Sequence, residues 1–183
     1  MLDENPLPHR WLLSDARNDA WLEGALSRLP GGSGLVYRHY HLPPAERLTR
    51  FRQLARRARA QGHLVILADS ALTAREWGAD GIYGAPRALY PRRRDLLRIA
   101  TAHDLREIGE ANRRRADALM LSPVFPTRSH QGAPTLGPAR FRTLAAHSRV
   151  PVIALGGMTA ESAQRLGWPR WAAIDGLSEL QKI

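Results

Sequence analysis

The chain has 183 residues, a formal net charge of +10 and no cysteine, which excludes disulfides, thiolate metal sites and cysteine nucleophiles together. Its composition, 44% hydrophobic and 24% charged, is that of a folded globular protein, and no apolar run reaches membrane-spanning length. All but one of the 27 Lys and Arg residues are arginine, the exception being Lys182; this disfavours a buried Schiff-base lysine and favours anionic partners. The length predicts a single domain over 1–183 with a sizeable core. The first nine residues carry acids and prolines instead of a signal-peptide apolar core, so the expected location is cytoplasmic.

Short apolar runs alternate with longer amphipathic stretches. Trp11-Leu12-Leu13 predicts a first strand, followed by a helix over 20–29. Residues 34–37 predict a second strand. Pro44 opens a helix to about 61, with Leu48, Phe51, Leu54 and Ala55 at helical spacing. Residues 63–68 predict a third strand, 72–77 a short helix and 81–83 a fourth strand. A fifth strand over 96–100 leads to a helix over 104–115, and a sixth over 118–121 to a helix over 138–147. A seventh over 150–155 leads to a helix over 159–166, and 171–174 predicts the eighth.

Eight alternations with continuous apolar strands predict a parallel sheet covered by helices, in a compact (β/α)8 TIM barrel. The chain is short for that fold. The fourth helix, interrupted by Pro86 and Pro91, and the last, with only 179–183 to form from, must be trimmed. An open doubly wound sheet is the alternative, because alternation alone does not establish closure. Basic clusters over 50–59, 92–94 and 113–115 fall in or beside helices, on the expected outer ring. They carry no aromatic interleaving or nucleic-acid motif, so neither nucleic acid nor a membrane is an expected partner.

Barrel chemistry sits where strands end C-terminally. Strand seven ends Ala154-Leu155-Gly156-Gly157-Met158-Thr159, and strand eight ends Ile174-Asp175-Gly176. Glycines there let backbone N–H groups approach a phosphate, with the following helix adding a favourable dipole. Asp175 fits only if its carboxylate turns away. The loop after strand six carries Thr127, Arg128, Ser129 and His130, hydroxyls and cations suited to an anion. His103 follows strand five, either as a general acid/base or packed beside a helix capped by Asp104. Arg38 closes strand two as a candidate anion clamp. The spacing of His39 and His41 puts both on one face of a strand, but no partner carboxylate is near in sequence, and no metal site is assigned. Asp69 ends strand three, either as a site carboxylate or as a helix N-cap. Asp80 precedes a strand and reads as structural.

The order of several segments resembles the thiamine phosphate synthase family and its TenI-type relatives. Ala79-Asp80-Gly81-Ile82-Tyr83 is similar to the family's A-D-G-[IV]-H, and Thr101-Ala102-His103-Asp104 to its S-x-H-[ST]. Ala116-Asp117-Ala118 through Pro123-Val124-Phe125-Pro126-Thr127 is similar to A-D-Y followed by G-P-[IV]-[FY]-P-T-x-T-K. Pro151 to Thr159 closely resembles P-V-[VI]-A-I-G-G-[IM]-T. The resemblance implies a (β/α)8 barrel. It implies that Gly156, Gly157, Asp175 and Gly176 hold a thiazole phosphate through backbone amides, and that Thr127 and Ser129 are loop hydroxyls. Arg38 matches the arginine of a diphosphate-binding Q-x-R-x-K motif.

The departures concern the diphosphate and metal half of the site. Val36 and Tyr40 replace the motif's Gln and Lys, and His130 replaces the loop lysine. Asp69 follows Ala68 in place of Asn, and the family's G-Q-x-D is absent, the chain reading Gly84-Ala85-Pro86-Arg87. This pattern resembles the TenI-type branch, some of whose members tautomerise a thiazole phosphate with a histidine at the position of His103. The expected function is therefore metal-independent proton transfer by His103 on a small phosphorylated heterocycle. Arg38, Asp69 and the 127–130 loop would shape the rest of the site. A Mg²⁺-dependent synthase joining a pyrimidine diphosphate to a thiazole phosphate is one alternative. A non-catalytic phosphate-ligand binder or sensor is another. No cofactor is expected except Mg²⁺ for a working synthase, and a homo-oligomer is compatible with the fold.

Overall fold

The computed structural model describes residues 7–128, 131–132 and 134–177. Eight parallel strands close into a barrel in sequence order, β1 pairing with both β2 and β8. They are β1 (Arg10–Leu13), β2 (Gly34–Tyr37), β3 (Leu64–Leu67), β4 (Gly81–Gly84), β5 (Leu97–Ala102), β6 (Ala118–Leu121), β7 (Val152–Ala154) and β8 (Trp171–Ala173). Closure excludes the open doubly wound alternative. Outside the sheet lie α1 (Leu22–Arg28), α2 (Pro44–Arg59), α3 (Ala71–Trp77), α4 (Leu105–Arg113), α5 (Gly137–Ala145) and α6 (Ala160–Leu166).

Local chemistry sets most helix starts. Ser70 Oγ accepts from the Thr73 N–H, Asp104 caps α4, and Thr159 and Ser162 form a reciprocal capping box on α6. Pro44 opens α2, which buries Phe51, Leu54, Ala55 and Ala58 and leaves Arg52, Arg56, Arg57 and Arg59 exposed. The proline-interrupted fourth helix is only a 3₁₀ turn, Pro86–Leu89. The first predicted helix divides into a 3₁₀ turn, Asp19–Trp21, and α1. Strand five runs two residues further than the apolar run suggested, because Thr101 and Ala102 pair with Met120 and Leu121 of β6. The predicted last helix lies outside the described residues.

The strand alternation builds two cores. Inside the barrel, Trp11, Leu13, Val36, Ile66, Ile99, Met120 and Ile153 fill the lumen. Trp11 plugs its N-terminal end and donates from Nε1 to the Pro8 carbonyl at 2.8 Å. A Cβ on Gly34 would enter the Trp11 ring, so the residue opposite Trp11 has to lack a side chain. Between sheet and helices, Leu12, Leu35, Leu67 and Leu119 meet Leu22, Phe51, Ile108 and Phe141. Each such large side chain contributes about 1.5–3 kcal/mol on burial. Asn18 closes the seam at the other end, its Nδ2 donating to the carbonyls of Leu13 at 2.9 Å and Ile174 at 3.0 Å. Asp80 accepts from the Val65 N–H at 2.7 Å, a scaffold role as expected from its position. Among the described residues, no helix is long and apolar enough to cross a membrane.

Candidate active site

With the N-terminal end plugged, the space left by the barrel opens where the strands end. The loops there surround a cavity of about 670 Å³. That is ample for a small metabolite.

Gly156, Gly157 and Gly176 form one side of it. Gly156 has φ +98° and Gly157 φ +60°, in the region that glycine tolerates best. A Cβ on Gly156 would stand 2.6 Å from the Pro123 Cα, and one on Gly157 would meet the Pro126 carbonyl. Val124 and Phe125 donate backbone hydrogen bonds to the carbonyls of Leu155 at 2.9 Å and Gly156 at 3.1 Å. These contacts clamp the loop after β6 onto the loop after β7. The glycines thus do two things: they permit that clamp, and they leave backbone N–H groups at the cavity wall. No described residue accepts a hydrogen bond from the N–H of Gly156, Gly157 or Gly176.

Asp175 also lines the cavity, and its carboxylate lies 3.5 Å from Nη1 of Arg17. Arg17 bonds Asp15 Oδ1 at 2.9 Å, and Asp15 Oδ2 accepts from Arg38 Nη2 at 2.7 Å. The result is an alternating chain of charges around the mouth, from Asp175 through Arg17 and Asp15 to Arg38. Burial would raise the Asp15 carboxyl, but the hydrogen bonds and charges of Arg17 and the charge of Arg38 hold it below the usual carboxylate range. Arg38 also donates from Nε to the Ser14 carbonyl at 3.0 Å. It reaches the cavity already neutralised.

His103 stands at the end of β5, its side chain 54% exposed. Glu107, one turn into α4, takes the His103 backbone N–H at 2.7 Å and pairs with Nδ1 at 2.9 Å through the same oxygen, Oε2. Asp104 accepts from the Glu107 N–H at 2.8 Å as the helix cap. Fixing Nδ1 leaves Nε2 as the nitrogen available for proton exchange. Thr127 and Arg128 line the cavity as well. Ser129 and His130 lie outside the described residues.

Two expectations are corrected. Asp69 is not part of the cavity lining, and Ser70, not Asp69, caps the following helix. Asp69 Oδ2 instead takes Nη1 of Arg47 at 2.5 Å. His39 and His41 do not share a strand face, because β2 stops at Tyr37 and His39 takes φ +40°. His39 is buried, with Nδ1 2.8 Å from Ser14 Oγ and Nε2 2.8 Å from Asp19 Oδ1. Burial lowers its pKa despite that carboxylate. Among the described residues, no group of three or more His, Asp or Glu is arranged to hold a metal ion.

The cavity also contains residues that motif reading passed over: Tyr83, Thr101 and Ser122 on β4, on β5 and just after β6. Their signal was available as strand parity. Tyr83 falls two residues after Gly81, and Thr101 two before His103, so each pair shares a face. Burial pushes the Tyr83 phenol up to about 12.

Comparison with known proteins adds an independent line. A family model described as thiamine monophosphate synthase matches residues 12–176. A thiamine-phosphate synthase from Pyrococcus furiosus is 24% identical over 182 residues, covering 94% of this chain and 85% of its own length. One from Geobacillus kaustophilus is 32% identical over 139 residues, covering 72% of this chain and 62% of its own. A solved structure of a thiamine phosphate pyrophosphorylase from Pyrococcus furiosus superposes with a TM-score of 0.75 at 24% identity, covering 94% and 93% of the two chains. At that identity the superposition establishes the shared barrel.

Proposed function

Since the chain belongs to the thiamine monophosphate synthase family, we propose that it binds a small phosphorylated heterocycle, a thiazole phosphate, and moves a proton on its ring through His103. The observation that carries this reading is the meeting, in one cavity, of the unpaired N–H groups of Gly156, Gly157 and Gly176 with His103. Converging N–H donors suit a phosphate dianion, whose oxygens only accept. The salt bridge from Arg17 partly offsets the Asp175 carboxylate's charge beside that position. Thr127 and Arg128 add a hydroxyl and a cation from the clamped loop.

With the phosphate held there, the ring extends toward the His103 wall. Nε2 of neutral His103 takes a proton from one ring atom. The imidazolium, stabilised by Glu107 at Nδ1, returns it to another. Bonds and charge balance with no second reactant, and the net change is a tautomerisation.

The synthases in the same family raise the question of magnesium. The donor set does not fit that ion: Asp69 is consumed by Arg47, and the second carboxylate position after β4 reads Gly84-Ala85-Pro86. No step proposed above runs through a metal.

Titration calorimetry with thiazole phosphate, then with pyrimidine diphosphate plus Mg²⁺, tests the reading. Binding of the first alone, with turnover lost but affinity kept in His103→Ala, is the expected result. Pyrophosphate release with both substrates would establish a synthase instead. Affinity with no turnover in the parent protein would leave a binder.

A further inference from the structure

The part of the cavity lining supplied by β4, β5 and the end of β6 is built differently. Here β4 turns Tyr83 inward, where it packs on the lumen core and lines the cavity. Tyr37 donates its hydroxyl to the Arg47 carbonyl at 2.8 Å. The Tyr83 hydroxyl has no such partner among the described residues. Beside it, β5 presents the hydroxyl of Thr101 and the end of β6 that of Ser122. The charged side chains near this wall are engaged elsewhere: Arg38 with Asp15, Asp69 with Arg47, and His103 with Glu107. Three neighbouring strands therefore offer neutral hydroxyls to whatever occupies the space.

We propose that Tyr83 is a specificity-determining residue of this site, its hydroxyl donating a hydrogen bond to an uncharged acceptor on the ring of the phosphorylated ligand. This rests on the phosphate reading above and extends it to the ring. Tyr83 is partly buried and its hydroxyl has no protein partner among the described residues, so a ring acceptor placed against it gains a hydrogen bond at no cost to the fold. The phenol keeps its proton throughout the neutral range, and the raised pKa extends that range, so it can donate there.

The test compares the parent protein with Tyr83→Phe, which keeps the ring and removes only the oxygen. Calorimetry measures thiazole phosphate and inorganic phosphate with each. Thiazole phosphate is expected to bind the variant about three- to tenfold more weakly, the range for one neutral hydrogen bond. Inorganic phosphate, held by the glycine amides with Thr127 and Arg128 and not by Tyr83, is expected to bind both equally, and this also certifies the variant's fold. Equal affinities for thiazole phosphate would overturn the assignment while leaving the phosphate reading intact. Parallel weakening of both probes would overturn it too, by showing a general disturbance. If the parent protein binds neither probe, the phosphate reading fails and Tyr83 falls with it.

Discussion

Arg47 and Asp69 are locked together beyond the ends of β2 and β3, Nη1 donating to Oδ2 at 2.5 Å. The same guanidinium donates to the carbonyls of Arg38 at 2.9 Å and Ala68 at 3.1 Å. It also lies within 6 Å of the ring centroids of Tyr37, Tyr40 and Trp77, at 5.9, 5.5 and 5.4 Å. Arg47 is therefore a scaffold pin that consumes the carboxylate at the end of strand three.

The pin makes Asp69 a stability residue. Asp69→Asn should lower unfolding free energy by about 1–2 kcal/mol, the scale for a half-buried charge-assisted bond. Burial acts to raise the Asp69 carboxyl, but hydrogen bonds from Arg47 and from the Ser70 backbone outweigh it and lower the pKa. A lowered carboxyl pKa contributes stability that is complete above the unfolded value, near 4, and is lost as pH falls through the folded value. Denaturant titrations of parent and variant should differ at pH 7 and converge in strong acid.

Gly156 should be intolerant of any side chain. Its φ of +98° and the 2.6 Å approach of a Cβ to Pro123 combine strain with backbone collision. Gly156→Ala should cost about 2–4 kcal/mol in denaturant unfolding and loosen the clamp that shapes the phosphate side. Weakened inorganic phosphate binding in the surviving folded protein is the second expected readout.

Glu107 should act only through His103. Glu107→Gln removes the carboxylate that fixes Nδ1 and steadies the imidazolium. Turnover should fall at least about tenfold while the calorimetric Kd stays near the parent value. Equal losses in affinity and turnover would argue against the assignment.

His39 should give the fold a pH dependence near neutrality. Burial lowers its pKa, opposed by Asp19, while His41 and Arg50 add to the lowering; Ser14 and Tyr37 complete its surroundings. The folded state resists protonation there more than the unfolded chain does. Stability is thus complete above the unfolded pKa, near 6.5, and declines as pH falls from it toward the lowered folded value. His39→Asn, whose side chain tolerates the left-handed backbone, should flatten the fall in Tm as pH drops below about 6.5.

Much of this molecule was legible in its residues. Apolar runs bounded by glycine, proline and capping residues located all eight strands, because burial on both faces leaves continuous hydrophobic stretches. The glycine-bearing ends of β7 and β8 and His103 stood out because strand ends are where a barrel gathers its chemistry. Tyr83 did not stand out, because an aromatic at an inward strand position looks like core until the lumen above it proves empty.

The amino-acid sequence by itself determined the alternation of elements, the trimmed fourth crossover and the family. These follow from local propensity, periodicity and motif order, which need no knowledge of distant contacts. Tertiary structure alone decided which charges are free to meet a ligand. Arg47 reaches Asp69 across 22 residues and Arg17 reaches Asp175 across 158 residues. Pairings at such separations arise only when closure brings β8 beside β1 and α2 over β3. A carboxylate in a site motif and a carboxylate neutralised by the scaffold are the same letter until the barrel closes.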